Sequence, residues 1–268
     1  MVNKFIWIGL IILVALIFVL LLFLSKNSIV SSKQVSYDNV LVLQSFLAKL
    51  NISNSLSNNI GIGIASYQNV VSNIKNKSEL KLNNKPEILY MGAEYCPFCA
   101  AERWAMIIAL SRFGTFSNLH FMTSSATDYS PSTPTFTFYN STYDSNYISF
   151  VSVEQTTNQP SGNGYKTLQT PNTTQYNLMA DYDGGGSIPF VLFANKSVLI
   201  GATYDPLSVL DNYNWSTVAS NLQNASTLQA QAIIGSANLI TTKICEADNN
   251  TPSSVCSQIY VKQIERLT

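Results

Sequence analysis

The chain has 268 residues, enough for one domain with additions, and its formal net charge is zero. Charged residues are only 11%, against 46% hydrophobic residues that include 14 Tyr and 13 Phe. This balance excludes a basic nucleic-acid-binding surface and a disordered chain. It leaves Ser, Thr, Asn and Gln to solvate the surface, which suits an extracellular protein.

Phe5 to Leu24 is an uninterrupted apolar run of the length that spans a bilayer as a helix. It is longer than the apolar region of a cleaved signal peptide, and no well-placed small-residue cleavage site follows. Residues 1–25 therefore read as an uncleaved membrane anchor, with a cleaved signal as the alternative. Lys4 on one side and Lys26 and Lys33 on the other leave its orientation open. Asn-X-Ser/Thr sequons at Asn51, Asn76, Asn140, Asn172, Asn195, Asn214, Asn224 and Asn249 permit an exported, glycosylated chain.

Residues 26–84 read as a linker. Within it, Val40, Leu43, Phe46, Leu47 and Leu50 predict an amphipathic helix over 36–50, followed by a Ser/Asn breaker over 51–59. Gly61-Ile62-Gly63 reads as a turn, because neither a third glycine nor a Lys-Ser/Thr follows it.

Ile88 to Ala93 then predicts a buried strand, and Ala100 to Phe113 a helix ending near Gly114. Cys96-Pro97-Phe98-Cys99 lies at the junction. A cysteine at a helix N-terminus meets unpaired N–H groups and the positive end of the dipole, which stabilise a thiolate. Pro97 suits the first helical position, where its missing N–H is no loss. Two cysteines at this spacing serve redox chemistry, zinc, haem attachment or a structural disulfide. The absence of a histidine after Cys99 argues against covalent haem. A disulfide closing so short a loop adds little stability. A zinc site would need Cys96, Cys99, Cys245 and Cys256 as four thiolates. Glu94, Glu102 and His120 are the nearby ionisable groups; the two glutamates read as solvated surface charges and His120 as structural or exposed.

Leu119 to Thr123 reads as the next strand. Thr135–Tyr139 and Tyr147–Val153, around a turn at 140–146, read as an inserted hairpin. Gln155 to Thr174 reads as a long loop, and its place before the proline segment suggests that it borders the substrate groove. After Asp183-Gly184-Gly185-Gly186, Ser187-Ile188-Pro189-Phe190 leads into a strand at 191–193, a turn at Asn195-Lys196 and a returning strand at 198–200 that ends at Gly201. Two helices follow, one capped by Ser216 and reaching Leu222, one opened by a capping box of Ser226 and Gln229. Cys245 and Cys256 come last. They read as a structural bridge stabilising the chain by about 3 kcal/mol, or as a second pair that shuttles electrons to the first. An even cysteine count with such a bridge points to an oxidising compartment.

Ala93-Glu94-Tyr95-Cys96-Pro97-Phe98-Cys99 resembles the active-site strand end of the thioredoxin superfamily, and Gly186-Ser187-Ile188-Pro189-Phe190 is similar to its cis-proline loop. The resemblance spans roughly 86–123 and 182–225. The chain as a whole resembles an uncharacterised archaeal family of membrane-anchored, thioredoxin-like proteins. The resemblance implies an α/β thioredoxin-like domain over 85–268, with an insertion at about 124–180 and a helical, disulfide-bearing extension at about 216–268. It implies Cys96 as attacking thiol and Cys99 as resolving thiol. It also implies a cis Ile188–Pro189 bond, with Pro97, Phe98, Ile188 and Pro189 meeting substrate; the alternative is an ordinary trans proline at a strand start. The Pro-Phe pair is similar to the Pro-aromatic pair of glutaredoxins and the Pro-His pair of disulfide-bond oxidases. Thioredoxins bury an Asp below the dithiol where this chain has Tyr90.

The expected activity is thiol–disulfide exchange on exported, cysteine-containing proteins, as oxidase or isomerase, at the outer face of the cell membrane. It needs a membrane or soluble redox partner, and no cofactor, metal or nucleic acid. The competing readings are a binding module on the same scaffold and the zinc protein.

Overall fold

The computed structural model describes residues 39–268, which lie within one unit, Tyr37–Thr268. The predicted anchor at 5–24 and the start of the predicted helix at 36–50 fall outside the described residues. Among those residues, no helix is long and apolar enough to cross a membrane.

In chain order, short helices α1 (Gln44–Leu47) and α2 (Asn54–Ile60) precede strands β1 (Val71–Asn73), β2 (Lys81–Leu82) and β3 (Lys85–Gly92). Helix α3 (Pro97–Leu110) follows, then β4 (Gly114–Ser117), β5 (His120–Thr123), β6 (Pro134–Thr137), β7 (Thr142–Ser145), β8 (Ser149–Glu154), β9 (Thr156–Ser161) and β10 (Gly164–Thr167). Helix α4 (Thr173–Tyr182) leads to β11 (Phe190–Phe193) and β12 (Ser197–Ile200). The chain closes with α5 (Pro206–Leu210), α6 (Trp215–Asn221), a π-helical turn at Ala230–Ile234, α7 (Gly235–Ala247), α8 (Ser253–Cys256) and α9 (Ile259–Glu265).

The fold is mixed α/β. Its main sheet runs β1-β12-β11-β3, with β8 alongside β3 and β2 pairing the start of β3. The β3–β8 pair is parallel, Glu87 to Gly92 against Ser149 to Glu154, and the remaining pairs of this sheet are antiparallel. The second half of β3, Ile88 to Gly92, is a continuous apolar run, as fits a strand covered on both sheet faces. Ile88 and Tyr90 join the large core with α3 and the C-terminal helices, while Leu89 and Met91 join a second cluster with Val153, Met179, Phe190 and Leu192. Strand alternation thus places consecutive residues in two cores.

Helix α3 is buried all round: every residue of it except Phe98 is buried, Glu102 and Arg103 included. Aromatic residues from the strand pairs β4–β7 and β5–β6 pack beside it, among them Phe116, Phe136 and Phe138. Three hydrogen bonds fasten this region to the helices. Trp104 Nε1 donates to Pro134 O at 2.8 Å, Trp215 Nε1 to Thr135 O at 2.6 Å, and Thr135 Oγ1 to Ala100 O at 2.8 Å. On the other flank, the predicted turn at 61–63 lies hard against the C-terminal helices. A Cβ on Gly235 would stand 2.1 Å from Ile62 O, and one on Gly63 2.1 Å from Gln231 O.

Several expectations are corrected. The predicted helix over 36–50 is, in its described part, only α1 and a 3₁₀ turn at Ala48–Leu50, and the Ser/Asn stretch at 51–59 holds α2, capped by Ser53. The strand expected at 119–123 is β5, which pairs with β6, and β8 is the parallel neighbour of β3. The segments 135–139 and 147–153 therefore form no hairpin. The loop expected at 155–174 contains the β9–β10 hairpin and the start of α4, whose capping box is Asn172 with Gln175. Asn214, not Ser216, caps α6. The Ser226–Gln229 box is absent: Thr227 Oγ1 accepts from Ala230 N, and Gln229 instead bonds Asn221 and Val209. Cys245 and Cys256 form a disulfide, and both residues are buried in the large core.

Glu94 and Glu102 are buried rather than solvated. Glu102 accepts from Thr203 N at 3.0 Å, Thr203 Oγ1 at 3.1 Å and Ser236 Oγ at 3.0 Å. Burial pushes its carboxyl from 4.5 up to about 7, against those hydrogen bonds, which pull it down. A carboxyl raised in the folded state stabilises the protonated fold. Its contribution is full below 4.5 and is lost as pH rises through about 7. Thermal or denaturant melts of the wild type and of Glu102→Gln between these pH values should therefore diverge. The wild type should lose on the order of 3 kcal/mol that the amide variant keeps.

Candidate functional site

Strand β3 ends at Gly92, and four residues later Cys96 becomes the N-cap of α3, with φ −73° and ψ 120°. Its sulfur accepts from Cys99 N at 3.3 Å, the role a Ser or Asp oxygen more commonly fills. Pro97 occupies the first turn, and Ala100 N donates to Cys96 O at 2.9 Å. Both cysteines are free thiols; Cys96 is 5% exposed and Cys99 fully buried.

The predicted proline loop reaches the same place. The Ile188–Pro189 bond is cis. The Cys96 thiol points at Ile188 O, 4.0 Å away, and Ile188 packs in a small cluster with Ala93, Cys96 and Cys99. Pro189 is buried, its carbonyl accepts from Gly201 N at 2.8 Å, and Phe190 opposite Met91 fastens the loop to β3. Asp183 organises the glycine run before it, accepting from Gly185 N and Ser187 N. The structure thus brings together Cys96, Pro97, Phe98, Cys99, Ile188 and Pro189. It leaves Cys245–Cys256 in a different packing cluster, already oxidised. That disulfide consumes two of the four thiolates the zinc reading needs.

The two thiols are electrostatically unequal. A hydrogen bond from the Cys99 thiol holds the Cys96 sulfur below its usual value of 9.0, opposed by burial and helped by the Cys99 N–H and the Arg103 charge. Burial pushes Cys99 well above 9.0, and the bond it shares with Cys96 adds to the rise. Cys96 is the thiol prepared to ionise.

Four residues around the dithiol were not foreseen from the sequence. Tyr165, on β10, stacks on Tyr95 with ring centroids 4.1 Å apart, and its hydroxyl donates to Ser125 Oγ at 2.7 Å. Tyr129 stacks on Phe98 at 5.6 Å, and both rings are exposed. Arg103, bonded to Ala93 O at 2.7 Å, forms a fully buried ion pair with Glu154 at 2.7 Å. Arg103 was detectable, since four residues after Cys99 on a helix is the same face. Glu154 was not, because its position depends on the β3–β8 pairing. Tyr90 is fully buried with its hydroxyl unpartnered among the described residues. That hydroxyl lies over Gly92, where an added Cβ would stand 2.1 Å from it.

A mixed α/β protein with a reduced, buried Cys-Pro-Phe-Cys pair facing a cis-proline loop is the class these features define. Residues 70–246 match the family model "Domain of unknown function (DUF929)", and the chain belongs to that family. No curated protein and no solved structure matches it.

The crowding at Gly92 yields a direct test of the packing under the dithiol. Gly92→Ala should destabilise the protein by about 1–3 kcal/mol in denaturant melts. Adding Tyr90→Phe should recover part of that loss, because it removes the nearest of the three crowding atoms.

Proposed function

We propose that the protein is a thiol–disulfide oxidoreductase of exported proteins, built on a thioredoxin-like domain over 85–268 that residues 5–24 anchor to the outer face of a membrane. The observation that carries this reading is the pairing of Cys96 with the Ile188 carbonyl: an N-cap sulfur, held low, faces a cis-proline loop 4.0 Å away. Support for the thioredoxin-like arrangement comes from chain order. A strand, a helix opened by the dithiol and a parallel strand are followed by the cis-proline and an antiparallel hairpin on the other side of β3. Support for the compartment comes from the Cys245–Cys256 disulfide, which persists in oxidising surroundings, and from the apolar run and sequons.

In the oxidising direction, a substrate thiolate attacks Cys96 Sγ of the Cys96–Cys99 disulfide and Cys99 leaves as thiolate. A second substrate thiolate then attacks the substrate sulfur of the mixed disulfide, and Cys96 leaves. The substrate gains a disulfide, and the two electrons remain on the dithiol until a redox partner removes them. As isomerase, the Cys96 thiolate attacks a substrate disulfide and is expelled by another substrate thiolate. Exposed Phe98 and Tyr129 border the approach. Among the described residues, Ile188 N–H donates no hydrogen bond, so it is available to pair with an extended peptide.

The test is trapping. Cys99→Ser, presented with a peptide disulfide, should accumulate a mixed disulfide through Cys96 that non-reducing gels and mass spectrometry detect. Cys96→Ser should form none. Failure of the Cys99→Ser protein to trap any substrate contradicts exchange chemistry and favours a binding module.

A further inference from the structure

In the oxidising direction Cys99 leaves as a thiolate, and in the reverse direction it must attack as one, yet Cys99 sits at zero exposure on a buried helix. Arg103 lies one turn further along that helix, on the same face and also at zero exposure. Its guanidinium is clamped along one edge. Nε donates to Glu154 Oε1 at 2.9 Å, and Nη2 donates to Glu154 Oε2 at 2.7 Å and to Ala93 O at 2.7 Å. Ala93 is itself packed against both cysteines. Glu154 is fixed in turn, accepting from Phe138 N at 3.3 Å, while its own N–H donates to Gln169 Oε1 at 2.7 Å.

The other edge is different. Arg103 Nη1 is buried and has no hydrogen-bond partner among the described residues, and neither has the Tyr90 hydroxyl, whose ring centre lies 5.9 Å from the guanidinium carbon. Leaving a buried cationic donor unsatisfied is costly, and the clamp holds it there against that cost.

We propose that Arg103, held by Glu154, supplies the positive charge that lets the buried Cys99 thiol become the resolving thiolate. This rests on the oxidoreductase reading. In that step the Cys99 proton passes to solvent. The Cys99 thiolate attacks Cys96 Sγ of the mixed disulfide, forming the Cys96–Cys99 bond and breaking the Cys96–substrate bond, and the substrate sulfur leaves with the electron pair and takes up a proton. The cation, on the Cys99 face of the helix, favours the thiolate before attack, and the new disulfide removes that negative charge. The other ionisable groups facing Cys99 are Cys96, Tyr90 and Tyr95, with Glu154 behind the guanidinium and Glu94 in the turn. Among the described residues around Cys99, Arg103 is the one cation.

The experiment uses the full-length protein with Cys96→Ser, in which Cys99 is the one free thiol beside the intact disulfide. Cys99 ionisation is followed by thiolate absorbance against pH. Adding Arg103→Met with Glu154→Gln, which leaves no lone buried charge, should raise the titration by about one pH unit or more, a tenfold loss of thiolate at a given pH. Arg103→Lys should stay nearer the parent. An unchanged titration in the folded double variant overturns the proposal. If the double variant does not fold, the Arg103 Nε nitrogen resonance of the Cys96→Ser protein decides. It should move in step with Cys99 ionisation, and a flat resonance overturns the proposal. Neither readout needs turnover, so a failure of substrate trapping would refute the exchange activity while leaving the Cys99 result to stand or fall separately.

Discussion

Helix α3 begins at the Cys96 sulfur, which accepts the Cys99 N–H, and runs from Cys99 to Leu110 without one exposed residue. The first turn of a helix leaves N–H groups that need acceptors, and here the acceptor is the sulfur proposed to react. Capping and the proposed reactivity therefore rest on one interaction. The thiolate that would do chemistry is the form that best satisfies the helix end. Because the helix is enclosed by the sheet, the aromatic strand pairs and α7, its first turn cannot drift. The cis-proline loop meets a sulfur whose place is set by the core.

The same burial forces a decision on each ionisable residue the helix carries, and neighbours resolve it in opposite ways. Glu102 faces hydroxyls and an amide on the C-terminal side and is driven toward its neutral form. Arg103 faces the thiols and keeps its charge through a two-pronged bond to Glu154. An acid driven toward neutrality and a clamped cation thus sit on one helix, although the chain as a whole carries no net charge.

How much of this was legible in the sequence follows from how local each feature is. The strand before the dithiol, the helix after it and the hairpin after Pro189 rest on runs of apolar residues and on turn chemistry, and they stand within a few residues of their expected places. The sulfur cap and the first-turn proline rest on two adjacent residues and were equally plain. The parallel partner of β3 was not legible. Residues 119–123 and 149–154 are both short and alternating, and only the packing of Phe116, Phe136 and Phe138 against α3 diverts the first away from the sheet. Glu154 was hidden with that pairing. Helix α4 was hidden by composition, since Met179 is its one buried residue, although Asn172 and Gln175 carried its capping signal. Glu102 was misread because a lone carboxylate suggests solvent. The apolar residues on every side of it, Trp104, Ile107 and Ile108 among them, said otherwise.

The most direct test of the account is the redox equilibrium of Cys96–Cys99 in glutathione buffers of graded potential, read by thiol labelling with Cys245–Cys256 as internal reference. The account predicts one reversible two-electron transition at Cys96–Cys99, between roughly −120 and −270 mV, the range spanned by dithiol oxidoreductases. Cys245–Cys256 should stay oxidised throughout. A pair that remains fully reduced across that range, or oxidises without returning, would contradict it.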